Sequence, residues 1–382
     1  MSSSPMVACG VESRILAKLN VVQLFTHAID TRHPQGRRHL LDTILTITVT
    51  ALLMGQRSLR AIGHWSKKMD AHTAKHLQIR SRPEESTIRR VLSRLDPGVL
   101  DGLLGAWTWL RCDTIKDQIV VSFDGKTIRG AKKRGAKDAH LVEAMVHGPD
   151  VVIAQQAVDD KHNEIPTLRS MLKHMVLTGV LVVADAMHTQ VDTAQTILDQ
   201  GGHYLLCIKG NQPGLFKTCK NMAWGQVNPT TTKTRWAGQW VTRSIKVIAA
   251  DRWLGSFPGA VQIAQLTRTR NVTKKGKTRR VKQVVYLVCS LPCHRASPAQ
   301  MAAWINQHWH IENRVHYVKD VTLGEDAHAC HTGNTHHILA SLRNFMLNLL
   351  RLAGYHNITE GIRDHTFNRS TLIKTLTTRE NK

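Results

Sequence analysis

Three carboxylates in this 382-residue chain have the sequence setting of metal ligands. Asp124 follows the apolar run 118–123, Asp185 follows the apolar run 180–184, and Glu312 lies in a later predicted helix. Because open α/β sheets place their sites at the carboxyl ends of strands, Asp124 and Asp185 are predicted to face one crevice. Such oxygen ligands suit Mg²⁺ or Mn²⁺, and two ions together support in-line attack on a phosphodiester. A strand-end aspartate that only forms a turn is the alternative.

The stretch from residue 117 to 209 is predicted to form the elements that position these carboxylates. Strands are expected over 118–124, 139–146, 151–158, 180–185 and 203–209. Helices are expected after the third and the fourth of these strands, so the order is β-β-β-α-β-α-β. The predicted fold class is therefore α/β, with a meander leading into a parallel portion that is covered on both faces.

Residues 1–116 are predicted to form an all-α N-terminal domain that binds DNA. Two amphipathic helices, over 58–68 and 81–95, suggest a helix-turn-helix. The polar face of the second helix carries Arg89, Arg90 and Arg94. A small bundle with a solvated arginine face explains the same pattern. Residues 44–51 alternate as a strand does, yet their setting favours a buried helix.

Residues 210–297 break the alternation of strands and helices and are predicted to form a β-rich insertion. Within it, residues 267–282 are interpreted as a basic hairpin loop suited to lie along phosphates. The cations of this loop are Arg268, Arg270, Lys274, Lys275, Arg279 and Arg280. A basic loop without a ligand is the alternative. Residues 298–382 are predicted to complete the catalytic core and to end in helices.

The charge of the chain indicates a polyanionic partner. Lys and Arg number 52 against 28 Asp and Glu, which gives a net charge of +24 at pH 7. Such a chain attracts nucleic acid, with a solvated basic surface as the alternative. The seven scattered cysteines do not suggest a disulfide framework, and we find no signal peptide or membrane span. We therefore expect a soluble intracellular protein with no membrane partner.

Several short motifs are distinctive in combination. The first is Asp-Gly-Lys-Thr-Ile-Arg-Gly at 124–130. The others lie at 184–190, 209–212, 308–314, 320–326 and 342–344, with a longer block from about 38 to 104. Over nearly the whole chain these motifs resemble the insertion-sequence DDE transposases of the ISAs-one and H-repeat-associated group. The resemblance implies a ribonuclease H-like catalytic core, with a β-rich insertion between the second aspartate and the glutamate.

The same resemblance implies the site residues and the cofactor. It assigns the catalytic and metal-binding triad to Asp124, Asp185 and Glu312. This triad would hold Mg²⁺ or Mn²⁺, as two ions. The phosphate-holding residues beside the metals would be Lys126, Arg129, Lys209 and Lys319, with a plain solvated side chain as the alternative for each. His188 would orient a water or a phosphate, with a structural role as the alternative. Lys319 fills the lysine position of the wider superfamily's motif, whereas Ile305 and His308 replace its tyrosine and arginine.

The function predicted from this resemblance is a DNA transposase that binds its element's ends and cuts and rejoins DNA. Its partners would be double-stranded DNA, as terminal inverted repeats and target DNA, and further copies of the chain in a homodimer or larger assembly. Its location would be the bacterial cytoplasm, at the nucleoid. One alternative is a DNA-binding descendant without catalysis, since few arginines of the family's insertion motif are retained. A ribonuclease H-like nuclease without strand transfer is another, and a zinc site built on Cys289 and Cys293 is disfavoured by their spacing.

Overall fold

The protein is described here by a computed structural model of residues 11–112, 118–129, 139–158, 163–236, 239–250, 257–274, 277–327 and 332–379. The chain divides into two compact units. Unit 1 comprises residues 1–115, 125–167 and 310–382, and unit 2 comprises residues 116–124 and 168–309. Both units contain helices and strands, so the fold is mixed α/β. Within the described segments we find no helix with the length and apolar character needed to cross a membrane.

The N-terminal part of unit 1 is helical. Its helices are α1 (Ser13–Leu16), α2 (Val21–Phe25), α3 (Leu41–Leu53), α4 (Leu59–Lys68), α5 (Ala71–His76), α6 (Glu85–Leu92) and α7 (Pro97–Trp109). Helix α3 is buried almost throughout. Its threonines tolerate this because Thr48 Oγ1 donates to the Ile44 carbonyl at 2.7 Å and Thr50 Oγ1 to the Thr46 carbonyl at 2.6 Å. The buried helix predicted for 44–51 is therefore confirmed.

The two helices of the predicted helix-turn-helix are α4 and α6, but they are not consecutive. Helix α5 lies between them in the chain, so the simple motif expected from the sequence is wrong. The pair still packs closely. A Cβ placed on Gly63 of α4 would lie 2.7 Å from the Cβ of Glu85 in α6, which only a glycine avoids.

The rest of unit 1 comprises a β-hairpin and C-terminal helices. Strands β2 (Ala139–Val146) and β3 (Val151–Val158) pair antiparallel, beside the end of β1 (Ile119–Ile128). The helices that follow are α12 (Thr335–Leu352), α13 (Ile358–Phe367) and α14 (Arg369–Thr377). Helix α12 shares one apolar core with α2, α3 and α7, in which Phe345 meets Phe25 and Trp107 edge to face.

Unit 2 contains the first part of β1 and the strands β4 (Val180–Ala184), β5 (His203–Ile208), β6 (Thr230–Trp236), β7 (Gln239–Ala249), β8 (Gln262–Lys274) and β9 (Lys277–Cys289). Their order in the sheet is β1-β4-β5-β9-β8-β7-β6. Strands β1, β4 and β5 are parallel, and β5 pairs antiparallel with β9. Helices α8 (Glu164–Lys173), α9 (Val191–Asp199) and α10 (Pro213–Lys220) precede β4, β5 and β6, and α11 (Pro298–His310) follows β9. The element order β1-β2-β3-α8-β4-α9-β5 is the predicted one.

The basic segment 267–282 lies mostly in strands, which corrects the expected loop. Strands β8 and β9 pair antiparallel over their whole length, from Gln262↔Cys289 to Lys274↔Lys277. Alternation of Thr, Val and basic residues suits the β8–β9 ribbon, whose backbone groups bond to each other. On its other side, β8 pairs with β7 up to Arg270. Lys275 lies outside the described residues.

Candidate active site

The first two predicted ligands lie at the same edge of the unit 2 sheet. Strands β1 and β4 are parallel, and Phe123 is paired with Ala184. Asp185 is the residue after β4. Asp124 lies within β1, one residue beyond its last pair with β4, so this register places both at the carboxyl edge of the β1–β4 pairing. Lys209 follows β5, the next parallel strand, and its side chain is exposed at that same edge. Both aspartates thus lie one residue beyond the pair Phe123↔Ala184, and their role as metal ligands stays a prediction.

A buried histidine contacts the second aspartate. His308 Nδ1 lies 2.9 Å from the Ser122 hydroxyl, and its Nε2 lies 3.8 Å from Asp185 Oδ1. The interaction with His308 lowers the pKa of Asp185, against the opposing effect of burial, and the charges of Lys209 and His188 lower this pKa further. Asp185 is therefore a carboxylate at neutral pH, the form that binds a cation.

In the sequence, His308 is both a replacement of the superfamily's arginine and the first residue of the motif 308–314. Neither feature indicates its contact with Asp185. His188, the other histidine considered, is buried in the turn after Asp185, with 1% of its surface exposed.

The Lys-Gly-Asn-Gln motif at 209–212 holds the loop that follows Asp185. Asn211 Nδ2 donates to the Ala186 carbonyl at 2.6 Å, and Gln212 Nε2 donates to the Thr189 carbonyl at 3.0 Å. Thr189 Oγ1 in turn donates to the Cys207 carbonyl of β5 at 2.5 Å. These bonds tie the ends of β4 and β5 together and leave Lys209 exposed.

The third predicted ligand, Glu312, belongs to unit 1. It is exposed on the π-helical turn Ile311–His316 that follows α11. The residues two before and two after it both bind Asp150: His310 Nδ1 lies 3.1 Å from Oδ1, and Arg314 Nη1 lies 2.5 Å from Oδ2. Asp150 ends the turn of the β2–β3 hairpin in a left-handed conformation, with φ of 56°. It anchors the segment that carries Glu312, and no sequence pattern had indicated this.

Two of the expected phosphate-binding lysines are buried instead. Lys319 has no exposed side-chain surface and pairs with Glu143. Lys126 is 3% exposed at its side chain, and its Nζ lies 2.5 Å from Asp320 Oδ1 and 3.5 Å from Glu325 Oε2. These ion pairs correct the expectation for both lysines, because an ammonium group enclosed with carboxylates has no surface left for DNA.

The same buried network explains three of the recognised motifs. The motif 124–130 contributes Lys126, and the motif 320–326 contributes Asp320 and Glu325. The motif 342–344 contributes Arg343, whose Nη1 donates to Glu325 at 3.3 Å. Asn344 Nδ2, from the same motif, donates to Glu143 Oε1 at 2.7 Å. Much of the distinctive sequence of this chain therefore builds the interior of unit 1.

The remaining predicted DNA contacts lie at the surface where the structure describes them. Arg129 is exposed and its backbone N–H donates to Asp326 at 3.0 Å. Arg89 is exposed and pairs with Glu85 at 3.2 Å. The other exposed side chains of this set are Arg90, Arg94, Arg279 and Arg280.

The chemistry of the donors at the sheet edge fits a hard divalent cation. Asp124 and Asp185 offer carboxylate oxygens, and Asp185 is held in its ionised form. Considering only described residues, no three His, Cys, Asp or Glu side chains cluster closely enough to form a metal site.

Comparison with known proteins identifies the family. Residues 115–349 match the family model described as Transposase DDE domain. The chain belongs to the transposase DDE domain family. The matched range contains Asp124, Asp185 and Glu312, and a second model, DDE_Tnp_1-associated, matches residues 22–108. The family predicted from the sequence motifs is thus confirmed.

Relatives of this transposase-family chain include two proteins of Escherichia coli. The K12 protein named "H repeat-associated putative transposase YhhI" is 26% identical over 337 residues, which cover 84% of this chain and 87% of that protein. "Putative transposase YncI" of strain O157:H7 is 28% identical over 352 residues, covering 84% and 85%. A solved piggyBac transposase synaptic complex with hairpin DNA has a TM-score of 0.44 and 11% identity, covering 99% of this chain and 83% of that one.

Proposed function

We propose that this chain is a DNA transposase that binds the ends of its insertion sequence and cuts and rejoins phosphodiester bonds by two-metal-ion DDE catalysis. The observation that carries the proposal is the pairing of Phe123 with Ala184, which brings Asp124 and Asp185 to one sheet edge within a family-matched domain. The proposed catalytic core is ribonuclease H-like. Its β-rich insertion is the segment that contains β6 to β9.

The triad proposed for this reaction is Asp124, Asp185 and Glu312. These carboxylates would hold two Mg²⁺ or Mn²⁺ ions, which would activate a water or a DNA 3′-hydroxyl as nucleophile and stabilise the leaving oxygen. His308 keeps Asp185 oriented and ionised, and Lys209 offers its ammonium group to a phosphate at the same edge. The assignment of Glu312 rests on the motif 308–314, and its exposed position on an anchored turn suits a ligand.

The proposed partners are double-stranded DNA, as element ends and target, and further copies of the chain. Exposed arginines of unit 1 and of the β8–β9 ribbon supply non-specific affinity, which should fall steeply as salt rises. Two ends must be held together for strand transfer, so a dimer or a larger assembly on DNA follows from the proposed reaction.

The test is cleavage of a labelled DNA that carries the element's own ends, found by sequencing the flanks of the gene. The native chain, Asp185→Asn and the control Asp192→Asn are compared with Mg²⁺ or Mn²⁺ present. Asp192 is exposed and pairs with Arg169, and it is not among the residues proposed for the reaction. Cutting and joining at the element boundary by the native chain and the control, but not by Asp185→Asn, is the expected result.

Two other results would overturn the proposal. Specific end binding without cutting by the native chain would indicate a descendant that kept recognition and lost catalysis. Cutting without joining would indicate a nuclease.

A further inference from the structure

Unit 1 contains an open groove of about 720 Å³ with strongly basic walls. One wall is the segment that precedes α3, and the other is formed by Arg82, α6 and the turn after it. The arginines that line the groove are Arg32, Arg38, Arg82, Arg90 and Arg94. Glu84, the carboxylate among its lining residues, has its charge compensated by Lys67, whose Nζ lies 2.7 Å from Glu84 Oε1.

The segment before α3 is held in shape by arginines of its own. Arg32 Nη2 lies 2.7 Å from Asp30 Oδ2 and donates to the His39 carbonyl at 2.9 Å. Arg37 Nη2 donates to the Asp30 carbonyl at 2.9 Å. These bonds fix the loop, so the first wall is ordered by internal contacts.

The other four arginines are available to a ligand. Arg38, Arg82, Arg90 and Arg94 are all exposed, and within the described part of the chain none has a salt-bridge partner. The pKa of His39 is lowered, first by burial and then by the charges of Arg38 and Arg32, as a positive potential at this wall requires. Guanidinium groups that are not paired with carboxylates attract an anion that can accept two parallel hydrogen bonds from one planar guanidinium, as a phosphate can.

We propose that this groove holds the sugar–phosphate backbone of duplex DNA. The inference rests on the proposed function and names where unit 1 grips its substrate. A single small anion is best held by a closed pocket that surrounds it. This groove is open and has guanidinium groups on both walls, so it suits a chain of phosphates that runs through it. Only some of the arginines on the basic face of α6 and the turn after it line the groove. Arg90 and Arg94 line it, whereas Arg89 is paired with Glu85 and does not.

The test measures binding of the full chain to a labelled duplex of random sequence, in EDTA and over a range of KCl. R90A/R94A is expected to weaken binding by roughly 10- to 100-fold near 0.1 M KCl and to lower the slope of log K against log[KCl] by about 2. K68A/K75A is the matched control. It removes two exposed charges from α4 and α5, at positions that do not line the groove, and should leave the slope nearly unchanged.

Two further variants make the result decisive. R38A/R82A, on both walls, should reproduce the loss, and R90K/R94K should keep the slope because a lysine still neutralises a phosphate. Equal losses in R90A/R94A and K68A/K75A, or an unchanged slope in both groove variants, would overturn the proposal. Duplex RNA that competes better than DNA would also overturn it. Because no divalent ion is present, the outcome is independent of cleavage, and a failure of catalysis remains distinguishable from a failure of this groove.

Discussion

Lys319 Nζ and the Glu143 carboxylate form an ion pair inside unit 1, and neither side chain has any exposed surface. Glu325 Oε2 lies 3.9 Å from the same ammonium group. Although burial by itself raises the pKa of Glu143, Lys319 and His316 outweigh it and hold this pKa well below its ordinary value. A lysine that the sequence assigns to DNA is thus part of the protein's interior.

Loss of this lysine is expected to affect stability first. Lys319→Met leaves a buried carboxylate without its main partner, so the free energy of unfolding should fall by roughly 3–5 kcal/mol. Urea denaturation measures this change. The double variant Glu143→Gln/Lys319→Met should recover part of the loss, because it leaves no unpaired charge. A Lys319→Met chain with native stability but weak DNA binding would contradict the structural role.

Stability is also expected to fall in acid. The folded-state pKa values of Glu143 and Glu325 both lie below their ordinary value of 4.5, because Lys319 and other cations outweigh burial. Their contribution is complete above about pH 4.5 and is lost as the pH falls below it. Urea midpoints measured from about pH 7 to about pH 3 should show this decline. The decline should be shallower in Glu143→Gln/Lys319→Met, and an identical profile would contradict the prediction.

The contact between α4 and α6 should tolerate no side chain at position 63. Gly63→Ala places a Cβ 2.7 Å from the backbone N of Glu85, so the helices must move apart at an expected cost of about 1–3 kcal/mol. The control is Gly102→Ala in α7, where a Cβ meets nothing within 4 Å. This change should stabilise by up to about 1 kcal/mol. Thermal denaturation should show a lower melting temperature for Gly63→Ala and an equal or higher one for Gly102→Ala.

The anchor beneath Glu312 should matter for catalysis. Asp150→Asn keeps the size of the side chain and tolerates the left-handed backbone, but removes the charge that holds His310 and Arg314. Cleavage should fall roughly 10- to 100-fold, as for other residues that orient ligands. Metal-free DNA binding should not change. The control is Glu360→Gln, on the exposed side of α13. If cleavage by Asp150→Asn falls only in proportion to the amount of folded protein, the positioning role is wrong.

Thiol reactivity should follow burial. Burial raises the pKa of Cys207 and Cys289 to about 12 and that of Cys219 to about 11, so these thiols are protonated and inaccessible. Cys293 is exposed. Iodoacetamide near pH 8 should modify Cys293 in the native protein and the three buried cysteines only in denaturant, as peptide mapping can show. Rapid native labelling of Cys289 would contradict its place in the core.

Local pattern was sufficient for several features of this chain. The uninterrupted apolar run 180–184 predicted a central parallel strand, because a strand covered on both faces has no polar side. The helix over 44–51 was predicted from its surroundings against its own alternation, and threonine-to-carbonyl bonds within the helix explain why that succeeded. The helix-turn-helix failed because α5 carries too weak a pattern to be seen.

By itself, the sequence determined the family, the order of the core elements and the end of the strand before Asp185, since these depend on motifs and on neighbouring residues. The strand predicted to end at Asp124 instead continues to Ile128. Only the tertiary structure decided which charges are buried. Lys319 and Glu143 are 176 residues apart, and Lys126 and Asp320 are 194 apart. An exposed lysine and a buried one can have the same local sequence pattern. The difference between them is a carboxylate, distant in the sequence, that folding places next to the buried ammonium group.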